Sequence, residues 1–486
     1  MTSELLPKVV ENFMPSELAK EMQVVALRWI ESDHLLVGFS TDLSERETAA
    51  SVSRLEETLN IRVTATKMDP SEISEFHSFN LSGADEENSL AMQGIGTGSE
   101  GPIAELTSGL LNRAVRLRAS DVHFEPSADE FIVRARIDGK LEEISRLPGS
   151  VAGAVVSRIK VLADMNIVER RRPQDGQFRY VVGGRDIDIR VGTIATIFGE
   201  KAVTRLLDTR RTLDDVTGLG MTGNELEKFK TLTASHYGLI VVAGPTGSGK
   251  TTTLHSAIRG LNKRDSNVAT LEDPVEYVVE GVNHVPVIEG IGAGFATQLR
   301  GLLRQDPDII MVGEMRDEET ARIGIQAALA GRLVLTSFHA TDSVSAIYRL
   351  LQMGIEPHLV AASLRGVISQ RLLRRVCTYC KTEYVPDAAE RLLLRSTSPL
   401  DDYKVAKGQG CTMCRNTGYR DRVGVFQIME ISDEIRELIS LRPNPSTIYA
   451  ATKANGLPTL GVQAEKVVLR KETSIAEAAQ LVSGDV

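Results

Sequence analysis

The stretch Gly244-Pro-Thr-Gly-Ser-Gly-Lys-Thr251 fits the P-loop pattern G-x-x-x-x-G-K-[ST] at every position. The apolar run 238–243 before it predicts a short buried strand, and residues 252–261 after it predict a helix. A loop between a strand and a helix start directs backbone N–H groups toward one point, where the helix dipole favours an anion. Lys250 is placed to reach the phosphates and Thr251 to ligate Mg²⁺. We therefore predict nucleoside triphosphate binding; the alternative is an ordinary glycine-rich turn.

Length and composition bound the class of protein. At roughly 150 residues per domain, 486 residues predict about three domains. The sequence has neither an apolar run near the ~18 residues of a membrane span nor a signal peptide at its start, so we expect a cytoplasmic protein. The net charge of −9 argues against a nonspecific nucleic-acid binder.

Changes of pattern along the chain predict six segments. In order they are a small α/β module (1–80), a linker rich in Gly, Ser, Glu and Asn (81–102), an α+β domain (103–211), an α/β core (212–375), a cysteine-bearing segment (376–422) and a helical region (423–486). The alternating strands and helices of the core are typical of a parallel sheet.

Two acidic stretches follow predicted strands of that core. Ile309-Ile-Met-Val-Gly-Glu314 is an apolar strand ending in an acid, the form of a Walker B element, about 60 residues after the P-loop. The alternative is a strand followed by a surface turn. Residues 270–276 place Glu272 and two further carboxylates at the end of an earlier strand, where a Mg²⁺-nucleotide would relieve their repulsion. Taken alone, an acidic turn before a helix is common.

All four cysteines lie in two Cys-x-x-Cys pairs, Cys377 with Cys380 and Cys411 with Cys414, separated by 30 residues. Four thiolates predict a closed, structural Zn²⁺ site in a reduced compartment. The separation exceeds that of the usual zinc ribbon and indicates an inserted loop. A redox pair is the alternative.

The predicted α+β domain is dense in arginine. Its arginines include Arg134, Arg136, Arg170, Arg171, Arg172, Arg179, Arg185, Arg190 and Arg205. A solvated strand face is the ordinary interpretation of any one of them.

Four motifs in order resemble those of the secretion ATPases of type II secretion and type IV pilus assembly. They are the P-loop, the Asp box Leu271-Glu-Asp-Pro-Val-Glu-Tyr277, the Walker B stretch 303–317 and the His box ending at Thr336-Ser-Phe-His-Ala-Thr-Asp342. The cysteine pairs resemble that family's metal subdomain, and 119–126 with 173–177 resemble its PAS-like second domain. Residues 1–80 resemble, more loosely, its N-terminal docking domain, so the likeness covers nearly the whole chain.

The resemblance implies a RecA-like P-loop core in a Mg²⁺-dependent ATPase that forms a ring homo-hexamer. It further implies recruitment to an inner-membrane platform protein and a membrane-associated docking protein, with Zn²⁺ at the cysteines and no specific nucleic acid. The residues implied to bind ATP are Gly244, Pro245, Thr246, Gly247, Ser248, Gly249, Lys250, Thr251 and Thr252. Pilus assembly and protein secretion share these motifs. The rival functions are a DNA-translocating conjugation or packaging ATPase and a non-hydrolysing regulatory subunit.

The resemblance also implies roles for residues outside the P-loop. Glu314 would activate water, Glu272 would shape the metal shell, and His339 would read the nucleotide state. Arg190 and Arg205 would supply positive charge to a catalytic site, within one chain or across a subunit interface.

The His box departs from the family pattern at two places. The usual Leu-His-Thr-Asn-Asp is here Phe338-His-Ala-Thr-Asp342, which keeps His339 and Asp342. Family members usually carry a histidine after the glycine that precedes the His-box strand, whereas Gly331 is followed here by Arg332. One hypothesis is that the always-charged Arg332 guanidinium takes over a phosphate-sensing position. The alternative is a surface arginine.

Overall fold

A computed structural model describes residues 14–31, 33–80, 100–208, 216–261, 265–287, 294–394, 403–442 and 444–482. Contacts divide the chain into two compact units: the described residues up to 208 with 377–381 and 408–420, and the remainder from 216 onward. Within the described ranges, no helix combines the length and apolarity of a membrane span. Most of the predicted linker lies outside the described residues.

The first unit begins with the predicted small α/β module. Its elements are α1 (Ser16–Met22), β1 (Val24–Glu31), β2 (His34–Ser40), α2 (Glu45–Leu59), β3 (Arg62–Met68) and α3 (Pro70–Asn80). β1 pairs with β2 antiparallel, and β2 pairs with β3 parallel. The two parallel strands are joined through α2, and a Ser44–Glu47 capping box forms the start of this helix.

The α+β part of this unit is a six-stranded antiparallel sheet with two helices. Its elements are α4 (Glu100–Arg116), β4 (Asp121–Pro126), β5 (Glu130–Ile137), β6 (Lys140–Pro148), a 3-10 turn (Gly149–Val151), α5 (Ala152–Leu162), β7 (Gln174–Val182), β8 (Arg185–Thr196) and β9 (Gly199–Asp208). The strand order is β6-β5-β4-β9-β8-β7. One sheet face packs on both helices through residues such as Phe124, Phe131, Leu111 and Ile159.

The second unit is built on a seven-stranded sheet in the order β12-β11-β13-β14-β10-β15-β18. The strands of this part of the chain are β10 (Gly238–Ala243), β11 (Val268–Glu272), β12 (Asn283–Pro286), β13 (Ile309–Val312), β14 (Leu333–Phe338), β15 (Leu364–Val376), β16 (Lys381–Tyr384), β17 (Val405–Gly408) and β18 (Tyr419–Glu430). From β12 to β15 every neighbouring pair is parallel. The sequence did not predict β18, which adds an edge strand where a helical region was expected from residue 423.

Helices cover both faces of this sheet. The helices of this unit are α6 (Asn224–Thr233), α7 (Lys250–Gly260), α8 (Phe295–Leu302), α9 (Glu318–Leu329), α10 (Ser343–Gln352), α11 (Pro357–Ser363), α12 (Ala388–Leu393), α13 (Asp433–Ser440), α14 (Pro445–Ala454), α15 (Leu460–Leu469) and α16 (Ile475–Val482), with 3-10 turns at Val216–Leu219 and Leu303–Gln305. A further 3-10 turn, Thr412–Cys414, belongs to the first unit. Alternate residues of β10 enter different cores, Val241 on one face and Val242 on the other. Burial on both faces explains the unbroken apolar run of β10.

Candidate nucleotide site

The P-loop occupies the turn from the end of β10 to the start of α7, as predicted. Gly247 and Gly249 have φ of +75° and +88°, a region that side chains disfavour. A Cβ at Gly244 would lie 2.4 Å from Ser248 Oγ, so a side chain there would clash inside the loop. Ser248 Oγ is buried and makes no hydrogen bond within the described residues. The loop therefore carries a free buried donor, as a phosphate cradle requires.

Lys250 is folded onto this loop. Its Nζ donates hydrogen bonds to the carbonyl oxygens of Gly244 at 2.9 Å and Pro245 at 3.0 Å. Burial lowers the pKa of Lys250, the charge of Glu314 opposes that shift, and the charge of Arg371 adds to it. A bound phosphate would supply the counter-charge that the carbonyl groups lack.

A glutamine that sequence reasoning missed holds the P-loop in place. Gln370, on β15, donates to the carbonyl oxygen of Ser248 at 2.5 Å and accepts from the Thr253 hydroxyl at 2.7 Å. Its side chain therefore ties the neighbouring strand to the loop and to the first turn of α7. The sequence offered little signal, because Gln370 stands between Ser369 and Arg371, one position beyond the residue that pairs with Ala243 at the end of β10.

Glu314 and His339 meet near Lys250 at the carboxyl edge of the sheet. Glu314 follows β13 and His339 follows β14, and these parallel strands are neighbours. Glu314 forms an ion pair with Arg316, and its Oε2 lies 3.6 Å from His339 Nε2. Burial and the charge of Lys250 lower the pKa of His339. The sequence thus selected three residues that the fold brings together, although their roles remain predictions.

Glu272 has partners that the sequence did not predict. This carboxylate ends β11 and is only 3% exposed. Its two oxygens lie 2.9 Å from His255 Nε2 and 3.2 Å from His284 Nδ1. Both oxygens are therefore engaged by histidines, and the proposed part of Glu272 in a metal shell stays untested.

The hydrogen bonds around His284 define its tautomer. The backbone N–H of Val279 donates to His284 Nε2 at 3.0 Å, so Nε2 is an acceptor and the ring proton sits on Nδ1. Two oxygens lie near this proton, Thr270 Oγ1 at 2.9 Å and Glu272 Oε1 at 3.2 Å from Nδ1. On the other side, His255 belongs to α7, the helix that carries Lys250. The His255–Glu272–His284 cluster thus links the P-loop helix to β11 and β12. Glu272 is 17 residues from His255 and 12 residues from His284 in sequence, and no motif joins them.

The replacement Glu272→Gln is expected to destabilise the protein at neutral pH but not in acid. Burial would raise the pKa of Glu272, yet the hydrogen bonds from the two histidines lower it from 4.5 to about 2. The stabilisation is therefore present above about pH 4.5 and lost as the pH falls toward 2. At ~1.4 kcal/mol per pKa unit, the wild-type advantage in unfolding free energy should shrink by about 3 kcal/mol across that window. Denaturation series at several pH values measure it; a constant advantage would contradict the assignment.

Arg332 does not lie near the P-loop of its own chain, contrary to the phosphate-sensing hypothesis. β14 begins at Leu333, which pairs with Gly238 at the start of β10, whereas the P-loop follows the last residue of β10. Arg332 therefore lies at the opposite edge of the sheet, about six residues or ~20 Å of strand away. Its guanidinium bonds to the carbonyl oxygen of Ala330 at 3.4 Å.

The replacement Arg332→Ala is accordingly expected to leave nucleotide turnover within about two-fold of wild type, as a surface substitution remote from the site should. Steady-state hydrolysis by the two proteins under identical conditions measures this. A loss of ten-fold or more would mean that the amino edge of the sheet influences the site.

Arg190 and Arg205 lie in the first unit, directly opposite each other on β8 and β9. Arg205 Nε lies 3.2 Å from Asp121 Oδ1, and its side chain is 56% exposed. They share the polar side of the sheet, away from α4 and α5. Their catalytic part stays a prediction.

The four cysteines converge as predicted. Every Sγ lies within 4.8 Å of every other, and all four residues are buried. The measured Sγ–Sγ distances are 3.8 Å for Cys377–Cys411, 3.8 Å for Cys380–Cys414 and 3.7 Å for Cys411–Cys414. Four sulfurs at ~2.3 Å from a tetrahedral Zn²⁺ would be separated by about 3.8 Å. The donor set fits zinc.

Backbone groups support the sulfurs as thiolates. The N–H of Gly410 points at Cys380 Sγ at 3.3 Å, and the N–H groups of Cys411 and Gly418 point at Cys414 Sγ at 3.1 and 3.3 Å. Such donors stabilise the negative sulfur that binds a metal. Of the 30 residues between the two pairs, 382–407 belong to the second unit and carry α12 and most of β16 and β17.

The P-loop, the acid after β13 and the parallel sheet define a P-loop nucleotide-binding protein. Comparison with protein families is more specific: the model of the type II/IV secretion system protein family matches residues 97–480. The chain belongs to this family.

Individual relatives agree with that assignment. The chain is 42% identical to a type IV pilus assembly ATPase, PilB, of Myxococcus xanthus over 382 residues, covering 78% of this chain and 67% of the relative. It is 41% identical to the type II secretion system protein HxcR of Pseudomonas aeruginosa, covering 77% and 76%. The X-ray structure of the Legionella pneumophila ATPase DotB superposes with a TM-score of 0.58 at 20% identity, over 81% of this chain and 98% of that one, which supports the fold alone.

Proposed function

We propose that the chain is a Mg²⁺-dependent ATPase that powers assembly of a type IV pilus or a type II secretion pseudopilus. The observation that carries the proposal is the meeting of Lys250, Glu314 and His339 at a P-loop in a member of this family. Lys250 neutralises phosphate charge, and Thr251, one residue into α7, ligates Mg²⁺. Glu314 accepts the proton of the attacking water or orients it.

The proposal extends to the working assembly. By analogy with the relatives, the chain acts as a homo-hexamer recruited to an inner-membrane platform protein, with residues 1–80 binding a membrane-associated docking protein. The assembled fibre is either a type IV pilus or a type II secretion pseudopilus, because relatives from pilus assembly and from type II secretion match at about the same identity. This part rests on family analogy and not on a site in the structure.

Hydrolysis and filament assembly test the function together. Purified protein should hydrolyse ATP with Mg²⁺, and added DNA should not stimulate it. A strain lacking the gene should lose surface filaments or a secreted protein, and the wild-type gene but not Lys250→Ala should restore them. DNA-stimulated hydrolysis with intact filaments and secretion would favour a DNA-translocating motor instead.

Zinc at the four cysteines is a separate proposal with its own test. The replacement Cys377→Ser is expected to abolish a stoichiometric zinc signal and to yield partly unfolded or insoluble protein, because structural zinc contributes ~10–16 kcal/mol of apparent binding free energy. Elemental analysis and thermal denaturation measure both effects. Thr378→Ser, at the neighbouring exposed position, is the control. Folded wild-type protein without zinc would contradict the proposal.

A further inference from the structure

The four cysteines pack against the N-terminal module as well as against one another. They form one apolar cluster with Val25 and Leu27 of β1, Met68 at the end of β3 and Ile73 of α3. All eight residues are at most 2% exposed. We refer to residues 377–381 and 408–420, which carry the cysteines, as the knuckle. The knuckle and the N-terminal module belong to the same compact unit.

The sequence of β1 is adapted to contacts on both of its faces. Its first four residues are all apolar and all buried. Val24 and Ala26 enter the core that the module builds with its own strands and helices, whereas Val25 and Leu27 project to the other face and contact the cysteine cluster. A three-stranded sheet standing alone needs only one apolar face. The second face is covered by α3 and the knuckle.

Polar contacts fix the orientation of this packing. The hydroxyl of Thr412, between two of the cysteines, donates to the carbonyl oxygen of Leu27 at 3.0 Å. Arg420 Nη2 lies 3.3 Å from Glu72 Oε1, with the two side chains 14% and 32% exposed. The contacts to the module thus come from the turn that holds Cys411 and Cys414 and from the strand just after it.

We propose that the knuckle is a metal-dependent docking site for the N-terminal module of the same chain. The proposal rests on the zinc site proposed above. The two halves of the knuckle are separated by 26 residues of the other unit. Backbone hydrogen bonds from Cys377 to Gly418 at 2.9 Å and from Gln409 to Cys380 at 3.0 Å connect them, and their four buried sulfurs would be held together by the metal. Without the metal, the surface that contacts Val25, Leu27 and Glu72 no longer keeps a single conformation, and the module is released.

Hydrogen–deuterium exchange on the full-length protein, before and after zinc removal by a chelator, tests this. Exchange of β1 and α3 should rise at least ten-fold on zinc removal, while α2, on the opposite side of the module, stays protected. If the purified protein contains zinc and zinc removal leaves the exchange of β1 and α3 unchanged, the docking proposal is wrong, although the zinc site is confirmed. Protein purified without zinc would overturn both.

Two arginines of the knuckle give a matched pair of variants that keep every cysteine. Arg420→Ala removes the Glu72 contact, whereas Arg415→Ala removes a contact of 3.4 Å with Glu142 of the α+β part. Both variants should keep stoichiometric zinc, and only Arg420→Ala should raise the exchange of α3. The double variant Glu72→Arg with Arg420→Glu, which swaps the two charges, should restore the wild-type protection of α3. Equal exchange in the two alanine variants would overturn the proposal even if zinc removal unfolds the protein.

Discussion

The replacement Glu314→Gln is expected to lower ATP turnover at least ~10²-fold while ATP binding stays near wild type, the scale of a lost general base. Glutamine keeps the size and hydrogen-bonding capacity of the side chain but cannot take a proton. Glu314 is the acid that the fold places beside His339 and within the electrostatic reach of Lys250. Its removal should therefore affect the chemical step more than nucleotide affinity.

Nucleotide affinity and single-turnover hydrolysis, measured on the same preparations, separate the two effects. Glu319→Gln is the matched control, since Glu319 is a 60% exposed carboxylate five residues later that pairs with Arg300 at 2.6 Å. It should hydrolyse ATP normally. Wild-type turnover by Glu314→Gln would mean that Glu272 or Glu276 acts as the general base instead. Glu272 is disfavoured for this role because it is buried between two histidines.

The parts of the fold that sequence predicted are those set by local pattern. β13 is the apolar run 309–312 before the Walker B acid, and α7 starts at Lys250, two residues before the predicted start of the helix. Each is a continuous apolar or periodic run bounded by glycine or acidic residues, so the residues in and next to the run are enough to predict the element. The three catalytic candidates could be placed together for the same reason, because each follows a parallel strand and the carboxyl ends of such strands share one edge.

The features that sequence missed depend on partners far along the chain. Gln370 was inconspicuous because its partner in the P-loop is 122 residues away. His255 and His284 follow no spacing rule, and only the approach of α7, β11 and β12 brings them to one carboxylate. The sequence left both interpretations of Arg332 open, and topology separates them: a residue before a strand and a residue after it lie at opposite sheet edges, although six positions separate them.

Arginine charge is the second catalytic requirement, and the replacement Arg190→Ala is expected to lower turnover by ~10³-fold, the lower end of the range for a lost arginine finger. Arg190 and Arg205 project as neighbours from β8 and β9, in a different compact unit from the P-loop. We propose that they complete the site of an adjacent subunit in the proposed hexamer. Turnover per chain should then rise steeply with protein concentration, since a single chain would lack part of its site.

Mixing two inactive variants tests whether the arginine acts across subunits. Lys250→Ala chains cannot bind nucleotide productively but keep Arg190, and Arg190→Ala chains keep the P-loop, so mixed rings would contain complete sites and recover part of the activity. Arg179→Ala, on the neighbouring strand with its side chain 71% exposed, is the control and should stay active. Arg371 is the rival source of charge, because it already acts on Lys250 within the second unit. The proposal is contradicted if Arg371→Ala loses turnover while Arg190→Ala keeps it. Full turnover by a monomer would contradict it as well.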